Sequence, residues 1–309
     1  MRISTSWAQQ SSVNSILDQQ SRLQQTQMQL SSGKKIFTPS DSPTAATGII
    51  DLNQTIKQTQ QYQSNTNVAR QRLSMEDGAL QNASTLLQKI NELGIQGLNA
   101  TTSAADKKSI ADQMQGLNQQ LLSLANTQNA NGEYIFSGTN STTPPFSPDL
   151  GNIGAYDYAG NSSQRTIQIG ATATVTDGDP GNAVFGTPTG PAPAVVPAPG
   201  SISNIFEAIN KFATDLSANA PSQASLTDIT NGLNKILAVD ASVGSRLNIL
   251  SNQDTINSGA VLNMQNALSS VQDLDYASAI SLLNQQTVAL QASQQAYSQV
   301  GKLSLFNYL

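Results

Sequence analysis

The stretch LTDITNGLNKILAVDASVGSRLNILSNQDTINSGAVLNMQNALSSV (226–271) decides the fold. Within it Leu226, Ile229, Leu233, Ile236, Asp240, Val243, Leu247, Leu250, Asp254, Asn257, Val261, Met264, Leu268 and Val271 recur at alternating spacings of three and four. On a helix of 3.6 residues per turn such positions fall on one stripe. A pattern held far beyond about 25 residues predicts a long helix of coiled-coil or rod type. The polar members Asp240, Asp254 and Asn257 lower its stability and fix its register.

Toward the C-terminus, DLDY (273–276) interrupts the pattern, and a final helix places Ile280, Leu283, Leu290, Tyr297 and Val300 on one stripe. It leads into Leu303, Leu305, Phe306, Tyr308 and Leu309, and Lys302 is the one charged side chain after Tyr276. So apolar a segment needs a cover. Toward the N-terminus, Ile205, Ile209, Phe212 and Leu216 make one face of a helix, with Asn204 and Glu207 spaced as an N-terminal cap. Before it, residues 138–200 are rich in glycine and proline. RTIQIGATATVTDGDPGNAVF (165–185) alternates like strands joined by a Gly-Asp turn, and PTGPAPAVVPAPG (188–200) is a stiff connector. EYIFSG (133–138) is expected to form a short strand.

Further out, Ile110, Met114, Leu117, Leu121 and Leu124 define another helix, opened by Ser103 and Asp106 at capping-box spacing. A long helix precedes it. Ala69, Leu73, Glu76, Leu80, Ala83, Leu87, Ile90, Gly94 and Gly97 keep the same alternation, and the pattern starts near Ile49. TPSDSP (38–43) separates that helix from an N-terminal one with Ile16, Leu23, Leu30 and Phe37 spaced by sevens. The companion stripe of Val13, Gln20 and Gln27 is mostly polar, so this seam is marginal unless other helices complete it.

The expected fold is mainly α with a small β insertion: a long antiparallel helical rod whose terminal helices order on assembly. Segments 1–40 and 272–309 are terminal coiled-coil pieces. Residues 41–137 and 201–271 form a discontinuous helical rod, and 138–200 a β-rich insertion with a Pro-rich linker. The middle stripes suit an intramolecular core. The terminal residues Ile16, Leu23, Leu30, Ile280, Leu283, Leu290, Tyr297 and Val300 suit contacts between molecules.

Composition narrows function. Only 11% of the 309 residues are charged, where about a quarter is usual. Such a surface suits faces that meet copies of themselves, because repeated like charges would repel or need desolvating. A formal net charge of −5 argues against nucleic acid. The absence of cysteine and histidine removes thiol nucleophiles, imidazole metal sites and the usual proton shuttle. No apolar run reaches 18 residues, so no membrane insertion is expected. The four glutamates, Glu76, Glu92, Glu133 and Glu207, read as a solvated face rather than a catalytic carboxylate pair. Asp177–Gly178–Asp179 reads as a β-turn rather than a calcium loop, and SSGKK (31–35) as a helix C-terminus. No catalytic, cofactor or metal site emerges, and no enzyme is expected.

LSSGKKIFTPSDSPTAATGI (30–49), with Gly33, and ASVGSRLNIL (241–250), with Gly244 and Arg246, resemble signatures of the bacterial flagellin superfamily at the two ends of its chain. MRIST (1–5), ANGEYIFSGTNSTTPPF (130–146) and QQAYSQVGKLSLFNYL (294–309) are similar to its hook–filament junction branch rather than to filament flagellin. The resemblance implies a structural, extracellular protein of the motility apparatus, exported unfolded by the flagellar type III system. It also implies a homo-oligomeric ring joining the hook-associated protein FlgK to flagellin. Before export, Leu303, Leu305, Phe306, Tyr308 and Leu309 would be held by the export chaperone FlgN, and afterwards buried in the axial core.

Overall fold

The computed structural model describes residues 2–151, 154–188 and 198–302, with backbone alone for 2–6, 8 and 300–302. Much of the Pro-rich connector, the side chain of Val300 and the apolar residues Leu303, Leu305, Phe306, Tyr308 and Leu309 therefore lie outside the described residues.

The chain is mainly α with a small β insertion. In order it forms α1 (Arg2–Ser32), α2 (Pro43–Leu98), α3 (Ala104–Ala125), β1 (Phe146–Pro148), β2 (Tyr156–Tyr158), β3 (Thr166–Gln168), β4 (Thr174–Thr176), α4 (Gly181–Val184), α5 (Ile205–Ser217), α6 (Gln223–Gln272) and α7 (Tyr276–Lys302). Two compact units result. One comprises the residues up to Thr59 and those from Gly259 onwards; the other is Gln60–Ser258. The long helices α2 and α6 contribute to both.

In the first unit α1 packs on α7. The pair is antiparallel: Leu274 N donates to Gly33 O at 3.0 Å, while Gln19 Nε2 donates to Gln286 O at 3.5 Å. Among its most buried side chains are Thr26 and Ala279. A seam of such small residues lets backbones approach but removes little apolar area from water.

The second unit holds the core. The stripe read from 226–271 turns inward here, with Leu226, Ile229, Ile236, Val243 and Leu250 buried. Opposite them on α2 lie Ala69, Leu73, Leu80, Leu87 and Ile90, also buried. The two helices run antiparallel, linked by Gln63–Ser258 (2.8 Å) at one end and Asn91–Thr230 (2.8 Å) at the other. α3 packs on α5. Ser103 caps α3 by accepting from Asp106 N at 3.2 Å, which satisfies a donor that the first turn would otherwise leave without an acceptor. Asn204 caps α5 by accepting from Phe206 N and Glu207 N.

The insertion consists of two antiparallel hairpins, β1–β2 and β3–β4. It shares the helical core through an aromatic cluster: Phe146 and Phe185 meet Phe206 of α5 at ring-centroid distances of 5.0 and 5.6 Å.

Three local expectations are corrected. EYIFSG forms no strand, only an isolated bridge between Gln128 and Tyr134. The carbonyl of Phe136 accepts from Gly181 N (2.7 Å) and Tyr158 Oη (3.1 Å), so its backbone partner is not a neighbouring strand. The β3–β4 connection runs through Gly170, and Asp177–Gly178–Asp179 is no turn, because both aspartates are drawn to arginines. The glutamates do not share a solvated face either. Glu92 is exposed, but Glu76 and Glu207 are fully buried.

Candidate functional site

Two arrangements stand out. The first is the α1/α7 pair. Ile16, Leu23 and Leu30 on α1 and Leu283 and Leu290 on α7 are half-buried, whereas Ile280 and Tyr297 are exposed. Other apolar side chains face water on the same helices: Trp7 is 74% exposed, Val288 65% and Leu17 57%. Periodicity found the half-buried stripe but missed these three, which belong to no single stripe. Their signal was the low charge of the helices that carry them.

The α1 C-terminus is tied to the segment before α7. Lys35 N donates to Gln272 O at 2.7 Å, completing a bridge between Lys34 and Asp273. Gly33 ends α1 at φ 69°, in the left-handed region that glycine occupies without strain. A methyl group there would come within 2.7 Å of Tyr276 Oη. Gly33→Ala should therefore destabilise the first unit by about 1–2 kcal/mol. The check is thermal unfolding followed by helical circular dichroism; an unchanged transition would mean that the backbone relaxes away from this conformation.

The second arrangement is a network of seven ionisable groups in the larger unit. Arg246 of α6, almost fully buried, pairs with the Asp179 carboxylate. Its Nη1 also donates to Thr176 Oγ1 at 3.0 Å. Asp177, also buried, receives Arg165 Nε at 2.9 Å and Arg72 Nε at 3.3 Å. Arg72 Nη1 reaches Glu133 Oε2 at 2.7 Å. Asn129 and Arg72 together hold the Glu133 carboxyl below its ordinary range. The seventh group is Glu76. Its Oε1 accepts from Asp179 N at 3.1 Å, while no donor reaches its buried Oε2 among the described residues. Burial first, and then the Asp179 charge, push the Glu76 carboxyl up to about 8, with Arg246 opposing.

These shifts fit a count of charges. Three arginines face Glu133, Asp177 and Asp179, so the cluster is neutral when Glu76 keeps its proton. An additional buried charge would be costly. The arrangement acts as a clamp, joining α2, α6, the 129–133 loop and the β3–β4 hairpin. Arg246 thus has a structural reason for its place in the sequence signature. At Gly244 a methyl group would meet nothing within 4 Å among the described residues, so no packing there requires glycine. Among the described residues no group of three or more His, Cys, Asp or Glu could hold a metal ion. None of their helices is long and apolar enough to cross a membrane.

Comparison with known proteins adds a family. Residues 3–141 match the bacterial flagellin N-terminal helical region. Over 318 aligned residues the chain is 33% identical to flagellar hook-associated protein 3 of Escherichia coli K12, with 99% of each chain covered. Similarity to flagellin of Bacillus subtilis is weaker, 25% over 98% of this chain and 97% of that one. The crystal structure of hook-associated protein 3 from Legionella pneumophila superimposes with a TM-score of 0.64 at 23% identity. It covers 72% of this chain and 98% of that one.

Proposed function

The chain belongs to the family of flagellar hook-associated protein 3, and from that premise we propose that it is a structural adaptor of the bacterial flagellum, joining the FlgK zone of the hook to the flagellin filament. The observation that carries this reading is the whole-length identity to hook-associated protein 3, which exceeds that to flagellin. The α1/α7 pair supports it: Trp7, Leu17 and Val288 are apolar side chains left mostly uncovered among the described residues. Packing them against neighbouring copies in a ring, and against FlgK and flagellin, would remove that surface from water. The protein acts by binding and holding, not by catalysis.

In this reading the chain leaves the cell unfolded through the type III apparatus, after FlgN has covered Leu303, Leu305, Phe306, Tyr308 and Leu309. The terminal helices take their final packing on assembly, exchanging conformational freedom for burial. Deleting the gene should leave complete hooks without filaments and release flagellin into the medium. A strain that instead lacks flagellin altogether would identify the chain as filament flagellin, the alternative.

A further inference from the structure

Glu76 has little room to move. It lies on α2 between Leu73 and Leu80, both fully buried, and is itself buried. What packs on its carboxyl is the short segment 177–180 that follows β4. Oε1 accepts from Asp179 N at 3.1 Å, and the carboxyl also meets the Asp179 carboxylate, an acid facing an acid. Two carboxyl groups share a hydrogen bond only while one of them keeps a proton. Around Glu76 stand Arg72 of α2, Arg246 of α6, Arg165 before β3, Asp177 and Asp179 of the segment, and Glu133 of the neighbouring loop. Arg246 serves two acids: it pairs with Asp179, and its charge also reaches Glu76.

The segment lies between two anchors that carry no charge. Upstream, Asn65 Nδ2 of α2 donates to Gln168 O at 2.7 Å, and Asn257 Nδ2 of α6 donates to Ile169 O at 2.9 Å. Downstream, Gly181 N donates to Phe136 O at 2.7 Å, and the Phe185 ring meets Phe136 edge-on at 5.1 Å. Between the anchors the ties to the long helices are of another kind. Asp177 pairs with Arg72, Asp179 pairs with Arg246, and Asp179 N binds Glu76. Their strength depends on the charge that Glu76 carries.

We propose that segment 177–180 is a flap held down by a proton on Glu76, and that loss of this proton passes Arg246 from Asp179 to Glu76 and lifts the flap from α2. In the closed form neutral Glu76 donates to Asp179, whose charge Arg246 balances. In the open form Arg246 balances Glu76 instead, and Asp179 turns into water, which solvates a carboxylate well. Neither form leaves a buried acid without a cation. The closed form holds one proton more, so it is favoured at low pH and gives way as pH rises through the range near 8 where Glu76 titrates. The anchors at Ile169 and Gly181 confine the opening to the flap.

Amide hydrogen exchange on the full-length chain tests this, each rate being referred to the unfolded-chain rate at the same pH. The amides of Asp177 and Asp179, bonded to Arg165 O and Glu76 Oε1, report on the flap. Those of Ile209 and Phe212, buried on α5, report on the core. From pH 6 to 9 the flap should lose protection at least about tenfold relative to the core. In Glu76→Gln, which has no proton to lose, that ratio should hold within about twofold. Flap and core losing protection in parallel would overturn the proposal, since the unit would then be loosening as a whole. A ratio that widens equally in Glu76→Gln would overturn it too, by assigning the opening to another group. The parent chain alone decides the first point, whether or not the variant folds. The measurement uses the isolated protein, so its outcome is independent of the junction role.

Discussion

Arg246→Ala should lower the unfolding free energy of the larger unit by about 3–5 kcal/mol, the loss typical when one partner of a buried ion pair is removed. The substitution strips the guanidinium from Asp179, which is only 11% exposed at its side chain, and leaves that carboxylate in a poorly solvating place. Gln164 Nε2 still donates to Asp179 at 2.8 Å, but a neutral amide cannot compensate a charge. Thr176 loses its Nη1 partner as well, which leaves the β3–β4 hairpin tied to α6 at its other end, where Asn257 Nδ2 donates to Ile169 O at 2.9 Å. Urea unfolding near neutral pH measures the effect. Arg246→Lys should recover only part of it, because an ammonium cannot reach Asp179 and Thr176 in the same fork. Lys89→Ala makes the contrast: its partner Glu92 is 62% exposed, and the loss should stay below about 1 kcal/mol. If Arg246→Ala and Lys89→Ala behave alike, the network does not clamp the unit.

The helices were legible because periodicity is a property of the local backbone. Leu226 to Leu250 announced a buried stripe, and Leu226, Ile229, Ile236, Val243 and Leu250 are buried, with Leu233 and Leu247 half-buried beside them. Caps were legible for a related reason: Ser103 and Asn204 act on donors two or three residues away. What the sequence concealed is contact between distant segments. Asp177 and Asp179 resemble turn residues until Arg72 and Arg246, many positions away, are brought beside them. Glu76 did carry a signal. It occupies a stripe position between Leu73 and Leu80, where a carboxylate must be either compensated or protonated. Reading it as solvated set composition above register, and register was the stronger constraint.

Glu76→Gln should flatten the dependence of stability on pH and stabilise the protein under alkaline conditions. Burial and the facing Asp179 raise the Glu76 carboxyl from its ordinary 4.5 to about 8. The folded state therefore binds this proton more tightly than the unfolded chain does. Its stabilising contribution is complete below about 4.5, declines as pH rises toward 8 by up to ~1.4 kcal/mol per unit, and is gone above that. Glutamine keeps the oxygen that accepts Asp179 N, and its amide can donate toward the Asp179 carboxylate as the protonated acid does. The substitution thus removes the titration that would add a fourth acid charge to the three arginine–carboxylate pairs. Near pH 8.5 the variant should exceed the parent by on the order of 4–5 kcal/mol, and near pH 5 by less than about 1 kcal/mol. Urea midpoints measured across pH 5–9 give both curves. Parallel curves would mean that Glu76 is ionised throughout in the folded protein, and that the three arginines tolerate a fourth acid.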